Sequence, residues 1–106
     1  MTTHTLKCWT QFYCATVDRF EKLFECRLND RNFQKGDTLI LQEVMAGNKL
    51  PGSPVAVGDE IVFTGRQARA SVSYVLSNFA GLRAGYVVLG LDDIEAMPAF
   101  EVRAAA

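Results

Sequence analysis

One stretch in the second half of the chain narrows the fold more than any other. From Arg66 to Leu76, Ala68, Ala70, Val72, Tyr74 and Leu76 fall on one side of an extended backbone, and Gln67, Arg69, Ser71 and Ser73 fall on the other. That is the alternation of a long strand with one buried face. Its two alanines keep the buried face small, as a crowded barrel interior or a strong bend requires. Other segments read the same way. Thr3 to Cys8 places His4, Leu6 and Cys8 on one face, with Lys7 on the polar one. Thr38 to Glu43 is a strand entered through the Gly36-Asp37 turn. Tyr86 to Leu91 is apolar on both faces and is therefore central.

The remaining segments connect these strands. Thr10 is read as the N-cap of a helix reaching about Phe20, with Phe12, Tyr13, Val17 and Phe20 as its apolar stripe and Trp9 leading in. Packed into the core, that stripe closes a barrel mouth; left exposed, it is a platform on which bases stack. Met45 to Pro54, with its glycines and prolines, reads as an exposed, mobile loop, and Thr64-Gly65 as a turn before the long strand. Val55 to Phe63 repeats the layout of Phe33 to Leu41 around a second Gly-Asp pair, consistent with strands entering through similar corners. A chain of 106 residues, 49% hydrophobic, supports one core. The reading is a single domain, 1–106, with its core at about 4–91 and an acidic tail, 92–106, that adds a short helix or strand before fraying.

The densest polar chemistry lies in Lys22-Leu23-Phe24-Glu25-Cys26-Arg27-Leu28-Asn29-Asp30-Arg31. Period two puts Phe24, Cys26 and Leu28 on a face read as buried and Leu23, Glu25, Arg27 and Asn29 on the other, with Asp30 placed to orient an arginine. Asn29 to Asn32 are residue types that fold back on their own backbone. The charges form either a ligand site or a solvated ion-pair lattice.

Eleven basic residues against twelve acidic ones exclude a strongly basic nucleic-acid binder, but residues 1–35 carry +2 and residues from Asp92 onward −3. An anionic partner is expected at the N-terminal half. No apolar run has signal-peptide or membrane-span length, so the expectation is a soluble, cytoplasmic protein without membrane contact. Cys8, Cys14 and Cys26 make an odd count without a close pair, fitting reduced structural thiols, with Cys8 and Cys26 in the core. His4, Cys8 and Cys26 are a conceivable metal trio lacking the usual ligand spacing, so no metal and no cofactor is assigned.

These motifs carry a resemblance. His4-Thr5-Leu6-Lys7, Lys22 to Arg27, Asn29 to Phe33, Gly36-Asp37, Phe63-Thr64-Gly65-Arg66, Val72 to Leu76 and Gly85 to Gly90 resemble, in order from about His4 to Leu91, small phage and bacterial proteins of domain of unknown function 3850. That family is similar to the ASCH domains, which belong to the PUA-like β-barrels. The resemblance implies an α+β, mainly β fold: a small barrel of five or six strands with a helix across one opening. ASCH relatives share a G-x-K-x-x-E-x-R signature, whose last three positions are Lys22, Glu25 and Arg27 here. Its glycine position is Phe20, a residue that does not take every glycine conformation. The segment from Met45 to Asp59 is longer than usual and would reshape one rim of the cleft.

The function the resemblance implies is RNA-related. Lys7, Lys22, Arg27, Arg31 and Arg66 would meet phosphates or stack on a base, and Glu25 or Asn29 would read a base edge. The small net charge favours a nucleotide, a modified nucleoside or a short single-stranded RNA. A second reading is a hydrolase on a modified nucleoside or RNA, with Lys22 and Glu25 as acid and base. Lys22 matches the lysine of an acylcytidine amidohydrolase pattern, but that pattern's nucleophilic threonine falls on Glu25, which can activate water and cannot form the same covalent intermediate. A ribonuclease histidine pair is impossible with His4 alone. A third reading is a protein-interaction module meeting its partner through the Met45–Pro54 loop or the acidic tail.

Overall fold

The computed structural model describes residues 1–102. Five strands, β1 (Thr3–Trp9), β2 (Phe24–Leu28), β3 (Thr38–Ala46), β4 (Ile61–Leu76) and β5 (Tyr86–Met97), form one sheet in the order β1-β3-β4-β5-β2. Only β1 and β3 are parallel; the other neighbours are antiparallel. The sheet curls into a half-barrel, and its concave side is filled by alternating residues of every inner strand, among them Leu39, Leu41, Ala68, Ala70, Val87 and Leu89. Ala68 and Ala70 are completely buried. Their small side chains let β4 bend over a core that larger residues would prop open.

The ladders slip in register along β4. Between β3 and β4 the register shifts between Gln42 and Val44, opposite Gly65, whose φ of +95° suits glycine and few other residues. Thr64-Gly65 is therefore a bulge inside one sixteen-residue strand, not a turn preceding it. Against β5 the ladder slips between Arg69 and Ser71 and again between Val72 and Tyr74, and the latter slip inverts the parity of β4. Tyr74 is exposed as a result, and Val75 packs against the core in its place.

The helix is much shorter than the stripe suggests. It comprises α1 (Thr10–Tyr13), with Trp9 at the N-cap, followed by a π-helical turn over Cys14–Asp18. The helix packs on β1 and β3 while the π turn reaches β5, so the segment lies across one end of the curl. Of the stripe only Tyr13 is fully buried; Phe12 and Phe20 are exposed. The Met45–Pro54 segment begins inside β3 with a buried Ala46, and beyond that strand the chain is held to α1: the Gly52 N–H donates to Thr10 Oγ1 and the Val55 N–H to Gln11 Oε1. Of the acidic tail, Asp92 to Met97 continue β5 against β4, Arg69 pairing with Glu95 at 3.0 Å. Residues 103–106 of that tail lie outside the described residues. Among the described residues no helix is long and apolar enough to cross a membrane.

Candidate functional site

The two strands at the ends of the sheet, β1 and β2, run antiparallel across a gap that no strand of the described residues fills. Hydrogen-bond parity shows what each turns toward it. The Thr38 N–H donates to the Thr2 carbonyl, which puts the main chains of His4, Leu6 and Cys8 on β3 and leaves those of Thr5 and Lys7 facing the gap. Across it, Leu91 N–H to Leu23 carbonyl and Asn29 N–H to Gly85 carbonyl bind the odd residues of β2 to β5. Phe24, Cys26 and Leu28 turn theirs outward. Side chains bridge the gap instead: Arg27 donates to the Lys7 carbonyl and Arg31 Nη1 to the Thr5 carbonyl at 2.8 Å.

Which face of β2 points inward is set by β5. Opposed residues share a face, and Glu25 opposes Leu89 while Arg27 opposes Val87, both core residues. The face expected to be buried is thus the exposed one, with Phe24 and Leu28 about half exposed and Cys26 outside the core. Glu25 is 5% exposed. Its carboxylate is held by Lys22 Nζ at 3.3 Å, Arg27 Nε at 3.2 Å and the Cys8 thiol at 3.7 Å. Burial, followed by the charge of Glu25, pushes the Cys8 thiol up to about 12, so it remains a proton donor. His4, Cys8 and Cys26 do not converge: His4 pairs instead with buried Asp37 at 2.8 Å.

Along the gap lies a cleft of about 390 Å³, within the range of small-ligand sites. Trp9 and Phe12 form one end, stacked at 6.2 Å with their rings 10° apart. Glu25 and Arg27 lie in the middle, and Asp30 and Arg31 at the far end. Lys22 stands behind the wall, its ammonium over the rings of Phe12 and Phe24 and donating to the Phe24 carbonyl. Each of these contacts uses a proton or the charge of the ammonium.

Of the other proposed site residues, Lys7 and Asp30 border the cleft, and Asn29 and Arg66 lie outside its lining. Lys7 borders the cleft, but its ammonium lies over Phe63 at 5.7 Å. Asn29 Oδ1 accepts the Phe33 N–H and shapes the turn. Asp30 lines the cleft without orienting an arginine; Glu25 holds Arg27, and a main-chain carbonyl holds Arg31. Arg66 belongs to a separate cluster at the β4 bulge, where Glu43, 1% exposed, accepts from Arg66 Nε at 2.9 Å, Thr64 Oγ1 at 2.7 Å and Thr10 Oγ1 at 2.7 Å, while Asp18 takes the far side of the guanidinium at 3.0 Å. Burial alone would raise the Glu43 carboxyl, yet these donors hold it below its ordinary value. Two carboxylates neutralise Arg66 there. The one signal of Glu43 in the sequence is that it shares strand parity with Leu39 and Leu41.

The family model described as Domain of unknown function (DUF3850) matches residues 3–91. The chain belongs to this family. The DUF3850 match takes in both edges of the cleft, the aromatic end and the bulge cluster, and stops within β5. No curated protein matches the chain.

Proposed function

We propose that this DUF3850 protein binds a nucleotide or a short single-stranded RNA in the cleft between β1 and β2, as a small ASCH-like member of the PUA-like barrels. The observation that carries the reading is the juxtaposition of a solvent-accessible stacked aromatic pair, Trp9 and Phe12, with Glu25 and two arginines in one narrow cleft. Aromatic faces accept any base, arginines accept phosphates, and a buried carboxylate takes hydrogen bonds from a base edge. Glu25 has an acceptor position left over after Lys22, Arg27 and Cys8 are counted, and Arg27 and Arg31 each keep several N–H groups unused. The ASCH-like assignment is supported by Lys22, Glu25 and Arg27 meeting at one carboxylate and by Phe20, at the glycine position of the signature, taking a φ of +52°.

Trp9 is the chain's one tryptophan, so its fluorescence reports on the site directly. Titration with the four nucleoside 5′-monophosphates and with short single-stranded RNAs is expected to quench it saturably. Phe12→Ala, at a half-exposed position, should weaken binding roughly 5- to 100-fold, the range of one lost base stack, without lowering Tm. Unchanged fluorescence and unchanged backbone amide shifts at millimolar ligand would overturn the reading.

A further inference from the structure

We infer that the cleft takes a strand, two or more consecutive nucleotides joined by phosphodiesters, in preference to a free mononucleotide. The inference rests on the reading of the cleft as a nucleotide site and specifies what that site holds. Its basis is the spacing of the two carbonyls on which the guanidinium groups are anchored. Arg27 is anchored on the carbonyl of Lys7 and Arg31 on that of Thr5, alternate residues of the same strand. At the rise of an extended chain these carbonyls are about 6.6 Å apart. That spacing lets each guanidinium take a phosphate of its own without leaving its carbonyl. It suits two successive phosphates of an extended single strand, each separated from the next by a sugar.

The order of groups along the gap agrees. Trp9 lies two residues beyond Lys7 and Thr5 two residues before it, so aromatic platform, first arginine and second arginine follow one another at equal intervals along β1. A base stacked at the Trp9 end places the backbone beside Arg27, and the next phosphate reaches Arg31. Neither arginine has to leave its carbonyl, because a guanidinium carries five N–H donors and Arg31 uses one of them on Thr5. Arg31 is exposed and its contact is to a neutral carbonyl, so its charge is available to a ligand. Arg66, held between two carboxylates, lacks that freedom.

The test compares 5′-phosphorylated mono-, di- and tetranucleotides of each base by Trp9 quenching over a range of salt. The expected result is a dinucleotide bound at least tenfold more tightly than the mononucleotide. For the tetranucleotide, log K should fall against log salt with a slope of about −1.4, two phosphate contacts at about −0.7 each. Arg31→Gln should collapse the dinucleotide advantage and bring the slope to about −0.7, whereas Arg31→Lys should keep most of the slope. Equal affinity for mono- and dinucleotide, or a slope that Arg31→Gln leaves unchanged, overturns the strand while the nucleotide site stands. Hexaglutamate, an extended chain of similarly spaced charges without bases, binding as tightly as the tetranucleotide also overturns it. Fluorescence that no nucleotide moves overturns both.

Discussion

Phe20 occupies a left-handed backbone position, φ +52°, while its side chain is more than half exposed. A non-glycine residue there is strained by about 1–2 kcal/mol, and the strain persists because the neighbouring chain is fixed: Thr16 Oγ1 donates to the Lys22 carbonyl at 2.7 Å, and the Glu21 and Lys22 N–H groups both reach the Ala15 carbonyl. The expected consequence is an inversion of the usual ranking. Phe20→Gly should be more stable than Phe20→Ala by about 1 kcal/mol, since both lose the ring and only alanine keeps the clash. Urea denaturation of the two variants decides it. Glu43 gives the opposite kind of prediction, a residue whose loss is costly. Glu43→Ala leaves Thr10, Thr64 and Arg66 facing a void and should cost about 3 kcal/mol by the same measurement. Glu43 and Asp37 both have carboxyls held below their ordinary values, Asp37 chiefly by the bond from His4. Their contribution is therefore fully present above about pH 5 and is lost as pH falls through the depressed folded-state values. Glu43→Gln and Asp37→Asn should each flatten the loss of stability below pH 4.5 seen in thermal melts at graded pH.

At the scale of elements, the legible parts are those whose alternation has a single interpretation. β1, β3 from Thr38 to Leu41, β4 from Gln67 to Val72 and β5 from Tyr86 to Leu91 have one polar and one apolar parity, or none polar, and each packs as its pattern reads. β2 has two parities that both look usable, and periodicity alone does not choose between them. The register against Leu89 and Val87 does choose, and it turns the charged parity inward because the cleft beside it supplies partners for Glu25 and Arg27. The helix is shorter than its stripe for a related reason. An aromatic stripe reads as core when only its period is known, yet α1 ends after Tyr13 and leaves Phe12 to the cleft. Gly65 reads as a turn from sequence alone because a glycine with positive φ serves turns and bulges alike. Its bulge brings Thr64 and Arg66 onto one Glu43. A Cβ at Gly65 would also approach the Phe100 carbonyl to 3.1 Å. Gly65→Ala is accordingly expected to cost about 2 kcal/mol in chemical denaturation, and the loss should shrink in a Glu43→Ala background, where the bulge no longer has a carboxylate to serve.

At the scale of the whole sheet, the described chain is a half-barrel open between β1 and β2, and the openness is a property of its main chain that can be measured. Were β1 and β2 paired, every amide of both strands would be protected to a similar degree. The parity of the existing bonds says otherwise: His4, Leu6, Cys8, Glu25 and Arg27 donate or accept within the sheet, whereas Thr5, Lys7, Cys26 and Leu28 turn toward the gap, where the observed bridges, from Arg27 and Arg31, reach carbonyls and leave the N–H groups to solvent. Hydrogen exchange monitored by NMR should therefore show a two-residue alternation along both strands, with the gap-facing amides exchanging roughly a hundredfold faster than their neighbours. A closed seam would make the two parities equally slow, and Arg27 and Arg31 would then have no free carbonyls to hold. The same amides connect the architecture to the proposed ligand. A strand lying along the gap covers Thr5, Lys7, Cys26 and Leu28 together, so a bound tetranucleotide should slow all four, whereas a mononucleotide held at Trp9 should slow those nearest the aromatic end and leave Thr5 fast.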